Sequence, residues 1–119
     1  MTDYFPDSDF EKCDPPCNKD QMNGEFLDLL NQAREISAIP FIPTSAFRSI
    51  EHELAKGRDG TSSHTKGVAI DLKVVTSRQR YIIVNALLKV GFNRIGIGEG
   101  FIHVDNDMDK DQAVIWEYY

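Results

Sequence analysis

Two short segments hold the residue types that could do chemistry: Ser62-Ser63-His64-Thr65-Lys66-Gly67-Val68-Ala69-Ile70-Asp71 and Phe101-Ile102-His103-Val104-Asp105. They place two imidazoles and two carboxylates in runs that otherwise read as buried strands. A carboxylate inside Val68-Ala69-Ile70-Asp71-Leu72 is costly to bury unless a cation lies against it. That run contains no Lys or Arg, and a metal ion would serve. Zinc in a catalytic site takes three protein ligands from His, Asp, Glu or Cys and keeps a fourth position for water. His64, Asp71 and His103 supply such a set. A single His in a strand is commonly no more than a hydrogen-bonded core residue, but two of the three His in this chain fall in the pattern. The third, His52, is expected to be exposed.

The elements that must position these residues follow from periodicity. Met22, Phe26, Leu29, Leu30, Ala33 and Ile36 recur at spacings of three and four, which predicts an amphipathic helix. Residues 39–45 hold two prolines and read as an extended segment at a sheet edge. Ser49 is placed to cap a short helix running to about Lys56, before a loop over 57–62. Gly67 turns the chain into a strand over 68–74. Ser77 is the expected cap of a second long helix, with Ile83, Ala86, Leu87 and Val90 on one face and Gly91 at its end. Residues 94–98 and 101–105 form two strands joined by a hairpin turn at Glu99-Gly100, and 114–119 form a last strand. The fold class is α+β: two main helices on a small, mostly antiparallel sheet. Side chains alternate along a strand, so Asp71 shares a face with Ala69, and His103 with Asp105. If the two strands are neighbours, these faces converge and His64 closes the triangle from the turn.

Bulk properties narrow the function. With 119 residues the chain is read as a single domain, 1–119, whose first 20 residues are acidic, Pro-containing and irregular. A net charge of -6 and the lack of a Lys/Arg cluster argue against a nucleic-acid partner and against docking on anionic membranes. The first residues show neither a basic region nor an apolar run, and no stretch reaches transmembrane length. The expected product is cytoplasmic as synthesised, monomeric, and able to reach other compartments only by release or export. Cys13 and Cys17 flank Asp14-Pro15-Pro16 without a second ligand pair for a zinc ribbon. They read as reduced side chains in a rigid loop, with a short-loop disulfide as the competing possibility.

The pattern Ser62-x-His64-x-x-Gly67-x-Ala69-x-Asp71, followed by the strand-borne His103, resembles that of the zinc peptidases. These include D-alanyl-D-alanine carboxypeptidases and dipeptidases and phage L-alanyl-D-glutamate endopeptidases. Ser45-x-x-Arg48-Ser49, Gly91-Phe92-x-Arg94-Ile95-Gly96 and Trp116-x-Tyr118 are similar to further stretches of that family, so the likeness runs from about Phe10 to the end of the chain. It implies a fold shared with the hedgehog signalling domain and one Zn2+ held by His64, Asp71 and His103. It also implies hydrolysis beside a D-amino acid in peptidoglycan stem peptides, as by a phage or prophage endolysin. A non-catalytic, zinc-bearing module that binds a peptide or partner is the alternative.

Within that resemblance Arg48 is the residue that holds a substrate carbonyl or carboxylate, for which a guanidinium fork is suited. Ser62 is either a hydrogen-bond donor to substrate or the cap of its turn. Many family members carry an acid three residues before the last His, where this chain has Gly100. Asp105 is the expected general base, because it shares a strand face with His103; Glu99 is the alternative. The acidic run 105–111 invites a calcium reading, but an EF-hand loop starting at Asp105 would meet Lys110 and Trp116 where Gly and Glu are required. The short chain leaves little room for closing loops. That favours an open cleft and an endopeptidase.

Overall fold

The structure is a computed structural model that describes residues 3–11, 17–58 and 60–118. Cys13 lies outside the described residues, so its pairing does too. Cys17 is buried and is disulfide-bonded rather than a free thiol, contrary to the reduced state expected from the sequence.

Helix α1 spans Gly24–Ser37 and starts where Asn23 Oδ1 accepts the Phe26 N–H at 2.9 Å. Its inner face carries Phe26, Leu30 and Ala33, while Ile36, counted on that face by spacing, is half exposed. Strand β1 (Pro43–Ser45) and the short helix α2 (Ile50–Ala55, capped by Ser49) lie where expected. Strand β2 covers Ala69–Lys73 and helix α3 Ser77–Lys89. The cap of α3 is Thr76 rather than Ser77. Thr76 Oγ1 accepts the Gln79 N–H, and Gln79 Oε1 accepts the Thr76 N–H in return. Had Ser77 been the cap, the returning position would be Arg80, which has no acceptor.

Strands β3 (Arg94–Ile97), β4 (Phe101–Asp105) and β5 (Val114–Glu117) complete a sheet in the order β1-β2-β4-β3-β5. All neighbours are antiparallel except β3 and β5, which are parallel. Alternation gives the sheet two unlike faces. Ile70, Leu72, Ile95, Ile102 and Val104 are fully buried and join Phe26, Leu30, Ile83 and Leu87 in one core beneath α1 and α3. Each such side chain contributes about 1.5–3 kcal/mol on burial. The opposite face presents Asp71, His103, Asp105, Arg94 and Gly96, and their register brings them together: Asp71 opposite His103, Arg94 opposite Asp105, Gly96 opposite His103.

The N-terminal segment is less irregular than its composition suggests. Short 3-10 turns form at Asp7–Phe10 and Lys19–Gln21, and Phe5 and Phe10 enter the core at 1% exposure. Lys19 Nζ reaches both Asp3 and the Phe5 carbonyl, and the buried Asn31 Oδ1 accepts the Tyr4 N–H at 2.8 Å, so this segment is tied to the helix by polar contacts as well.

One glycine ties this layer to the functional face. Gly67 adopts φ +71°, and its carbonyl accepts the Asn23 N–H at 2.8 Å. A Cβ there would lie 2.2 Å from the Gln21 carbonyl oxygen. Gly67→Ala is therefore expected to cost at least about 1–3 kcal/mol from the left-handed backbone alone, read as a lower urea midpoint. An unchanged midpoint contradicts this packing.

Candidate metal centre

His64 is delivered by a 3-10 turn, Ser63–Lys66, that Ser62 caps by accepting the His64 N–H at 3.2 Å. The Ser62 hydroxyl also interacts with Glu53. Of the two roles open to Ser62, the turn cap is thus occupied in the fold, although the residue lines the cleft. His64 is 3% exposed, and its Nδ1 lies 2.6 Å from the Ala46 carbonyl, to which it donates. That leaves Nε2 facing Asp71 Oδ1 at 3.4 Å. His103 is fixed in the reverse sense. Its Nε2 lies 2.7 Å from Asp105 Oδ2, and its Nδ1 faces Asp71 Oδ1 at 3.0 Å.

Three ligand atoms, one from each residue, lie within 4.8 Å of one another, and this is the group of such donors found among the described residues. Each ring has an acceptor on its far side, so two neutral imidazoles would turn nitrogen lone pairs toward the carboxylate oxygen. Three acceptors at this range repel unless a metal ion or an imidazole proton lies among them. Tetrahedral bonds of about 2.0–2.1 Å set neighbouring ligand atoms roughly 3.3 Å apart. The two separations from Asp71 Oδ1, 3.0 and 3.4 Å, fit that spacing. Without a metal ion, protons on the imidazoles take that place. Burial opposes ionisation of Asp71, but hydrogen bonds from His103 and His64 outweigh it and hold the carboxyl far below its ordinary range. Burial likewise opposes charge on His103, and its hydrogen bonds to Asp105 and Asp71 overcome this and raise its pKa.

The cluster lies in a cleft of about 410 Å³ lined also by Arg48, Ser62, Trp116 and Tyr118. Arg48 donates from Nε to Ser45 Oγ at 2.8 Å and sets Nη2 3.5 Å from Asp71 Oδ2, so the guanidinium borders the carboxylate that faces both imidazoles. Trp116 packs against the His103 ring with centroids 5.4 Å apart. This wall exists because Gly96 has no side chain: a Cβ there would fall 2.5 Å from Tyr118 Cε2 and 2.8 Å from Trp116 Nε1.

Asp105 does not occupy the place expected of a general base. It is 1% exposed, with Oδ1 accepting from Arg94 Nε at 2.6 Å and from the Asp107 N–H, while Oδ2 takes His103 Nε2. It therefore stands behind His103, on the side away from Asp71. Strand alternation gave the correct face but could not say which ring nitrogen would be met. Glu99 is exposed at the β3–β4 turn and does not line the cleft. His52, expected exposed, is half-buried on α2.

The acidic run is not arranged around a calcium ion. Asp107 is buried and accepts from Ser63 Oγ at 2.8 Å and Lys66 Nζ at 2.9 Å, and Asp109 also pairs with Lys66. Sequence reading also missed Glu53, which is fully buried on α2 and pairs with Arg58 Nη1 at 2.8 Å and Arg48 Nη1 at 3.4 Å. A Glu in the first turn of a short helix is ordinary, so spacing carried no signal.

A protein-family model described as Peptidase M15 matches residues 8–105, well over half of the chain. The chain belongs to that family, which includes zinc D-alanyl-D-alanine carboxypeptidases. A comparison with curated proteins gives no match.

Glu53 offers a test of how Arg48 is held. Burial pushes its carboxyl up, but the Arg48 charge and the Arg58 hydrogen bond more than reverse this, so its pKa is lowered. A lowered folded-state pKa gives stability that is present above the unfolded value, about 4.3, and is lost as pH falls through the folded value. Glu53→Gln should lower stability near neutral pH by about 1–3 kcal/mol and lose less of it on acidification than the parent. Parallel urea midpoints across that range would show that Glu53 carries no such charge pair.

Proposed function

We propose that this chain is a zinc-dependent peptidase acting on the stem peptides of bacterial peptidoglycan, as a D-alanyl-D-alanine carboxypeptidase or an L-alanyl-D-glutamate endopeptidase. Membership of the peptidase M15 family is the premise. The observation that carries the reading is the convergence of ligand atoms from His64, Asp71 and His103 at an open cleft. These three residues would hold the zinc, which supplies an acidified water and a Lewis acid for the substrate carbonyl. Arg48 borders the same carboxylate and offers its remaining N–H groups to a substrate carbonyl or terminal carboxylate. Ser45 and Glu53 restrain that guanidinium, so it is oriented before substrate arrives. Trp116 and Tyr118 form an apolar wall suited to the aliphatic part of a stem peptide.

One observation favours a second reading, a zinc-bearing module that binds such peptides without cutting them. The carboxylates lining the cleft among the described residues, Glu53, Asp71 and Asp105, are each engaged by a cation or an imidazole. Neither Asp105 nor Glu99 stands free beside the ligand cluster to take a proton from water.

Muropeptides incubated with the zinc-loaded protein and analysed by mass spectrometry separate the readings. The peptidase reading expects about one zinc per chain, new stem-peptide fragments, and loss of both zinc and hydrolysis in His64→Ala. Arg48→Lys should keep the zinc and lower hydrolysis roughly 10²–10³-fold, as when a single oxyanion donor is lost. Undiminished hydrolysis in a strong chelator rules the peptidase reading out. Saturable binding of intact muropeptide without fragments establishes the second reading.

A further inference from the structure

We propose that Arg94 is a positioning residue: acting through Asp105, it holds His103 in the tautomer and orientation that turn Nδ1 toward Asp71 and His64. The inference rests on the zinc-peptidase reading for its purpose, but its geometry stands alone. Arg94 is 7% exposed and faces Asp105 directly across the β3–β4 ladder. Its Nε donates to Asp105 Oδ1 at 2.6 Å, and Asp105 Oδ2 lies 2.7 Å from His103 Nε2. The Asp107 N–H at 3.0 Å adds a second donor to Oδ1. With Oδ1 so occupied, the carboxylate can offer only Oδ2 to the imidazole, which fixes both the ring plane and the nitrogen that keeps its proton.

The guanidinium is itself clamped. Arg94 Nη1 donates to the Asp111 carbonyl, and its central carbon lies 4.9 Å from the centre of the Trp116 ring that packs on His103. Three parts of the cleft therefore meet at one side chain: the loop after β4, the aromatic wall from β5, and the far side of a metal-ligand candidate. A lysine has one nitrogen and cannot reproduce the fork that reaches Asp105 and Asp111 together. Small residues make room for the chain of contacts, since Ala69 lies opposite Asp105 and Gly96 opposite His103.

The competing explanation is a plain ion pair that pins β3 to β4. It predicts a change in stability and nothing else. Positioning predicts a change at His103, so the test reads that ring. Nitrogen-15 spectra of the imidazoles, recorded on metal-free and zinc-loaded protein at a pH high enough for His103 to have lost its second proton, should show His103 as a single Nε2–H tautomer in the parent. Arg94→Lys should give a mixture of tautomers in the metal-free protein and bind zinc about 10- to 100-fold more weakly, as when other second partners of metal-binding His are lost, with its circular dichroism unchanged. Should that variant unfold, the paired substitution Arg94→Met with Asp105→Leu removes both charges together, avoids a lone buried carboxylate, and should show at least the same loss of zinc affinity. A folded Arg94→Lys with one Nε2–H tautomer and parental zinc affinity overturns the proposal, as does parental affinity in the paired variant. If the parent chain binds no zinc, the peptidase reading fails, and the His103 tautomer in metal-free protein still decides the role of Arg94.

Discussion

Asp71 Oδ1 faces two imidazole nitrogens, and each ring has a second acceptor on its far side. Such an assembly is unfavourable unless a metal ion or an imidazole proton lies within it. The surrounding structure maintains it nonetheless: the Ala46 carbonyl holds one ring, the Asp105 carboxylate holds the other, and Arg48 borders the remaining oxygen of Asp71. Second partners of this kind set ligand basicity and ring orientation in metal sites. The polar face of the sheet is best understood as a frame built around that point.

The frame depends on a division of labour in the sheet. One face is continuous with the core beneath α1 and α3 and supplies the burial energy. The other carries ionisable residues in register, and on it and in the segments beside it each buried charge is matched: Asp105 by Arg94 across the ladder, Asp107 after β4 by Lys66, and Glu53 on α2 by Arg48 and Arg58. Pairs of this kind add little net stability compared with apolar packing, and removing one member is costly. They are better explained as fixing geometry. Belonging to the peptidase M15 family is consistent with a fold that devotes one sheet face to holding ligands still.

Much of this was legible in the sequence. The ligand candidates stood out because polar residues interrupted apolar strands at matched positions, and strand alternation gave their common face. The capping serine of α2, the edge strand with its prolines and the β3–β4 hairpin followed from local chemistry. What stayed hidden were contacts between segments distant in sequence. Phe5 and Phe10 join the core without any helical or strand period to announce them. Asp105 shares a face with His103, but which ring nitrogen it meets depends on the imidazole rotamer and on Arg94 across the ladder. Glu53 is ordinary as a helical residue and becomes a buried anchor only because Arg48 and Arg58 close over it.

The central claim is that this face holds one metal ion through three specific atoms. Anomalous X-ray diffraction at the zinc edge, on crystals of the zinc-loaded protein, tests it most directly. The account predicts one strong peak within bonding distance, about 2.0–2.2 Å, of His64 Nε2, Asp71 Oδ1 and His103 Nδ1. A zinc peak bound through His103 Nε2, or located away from these three residues, would contradict it.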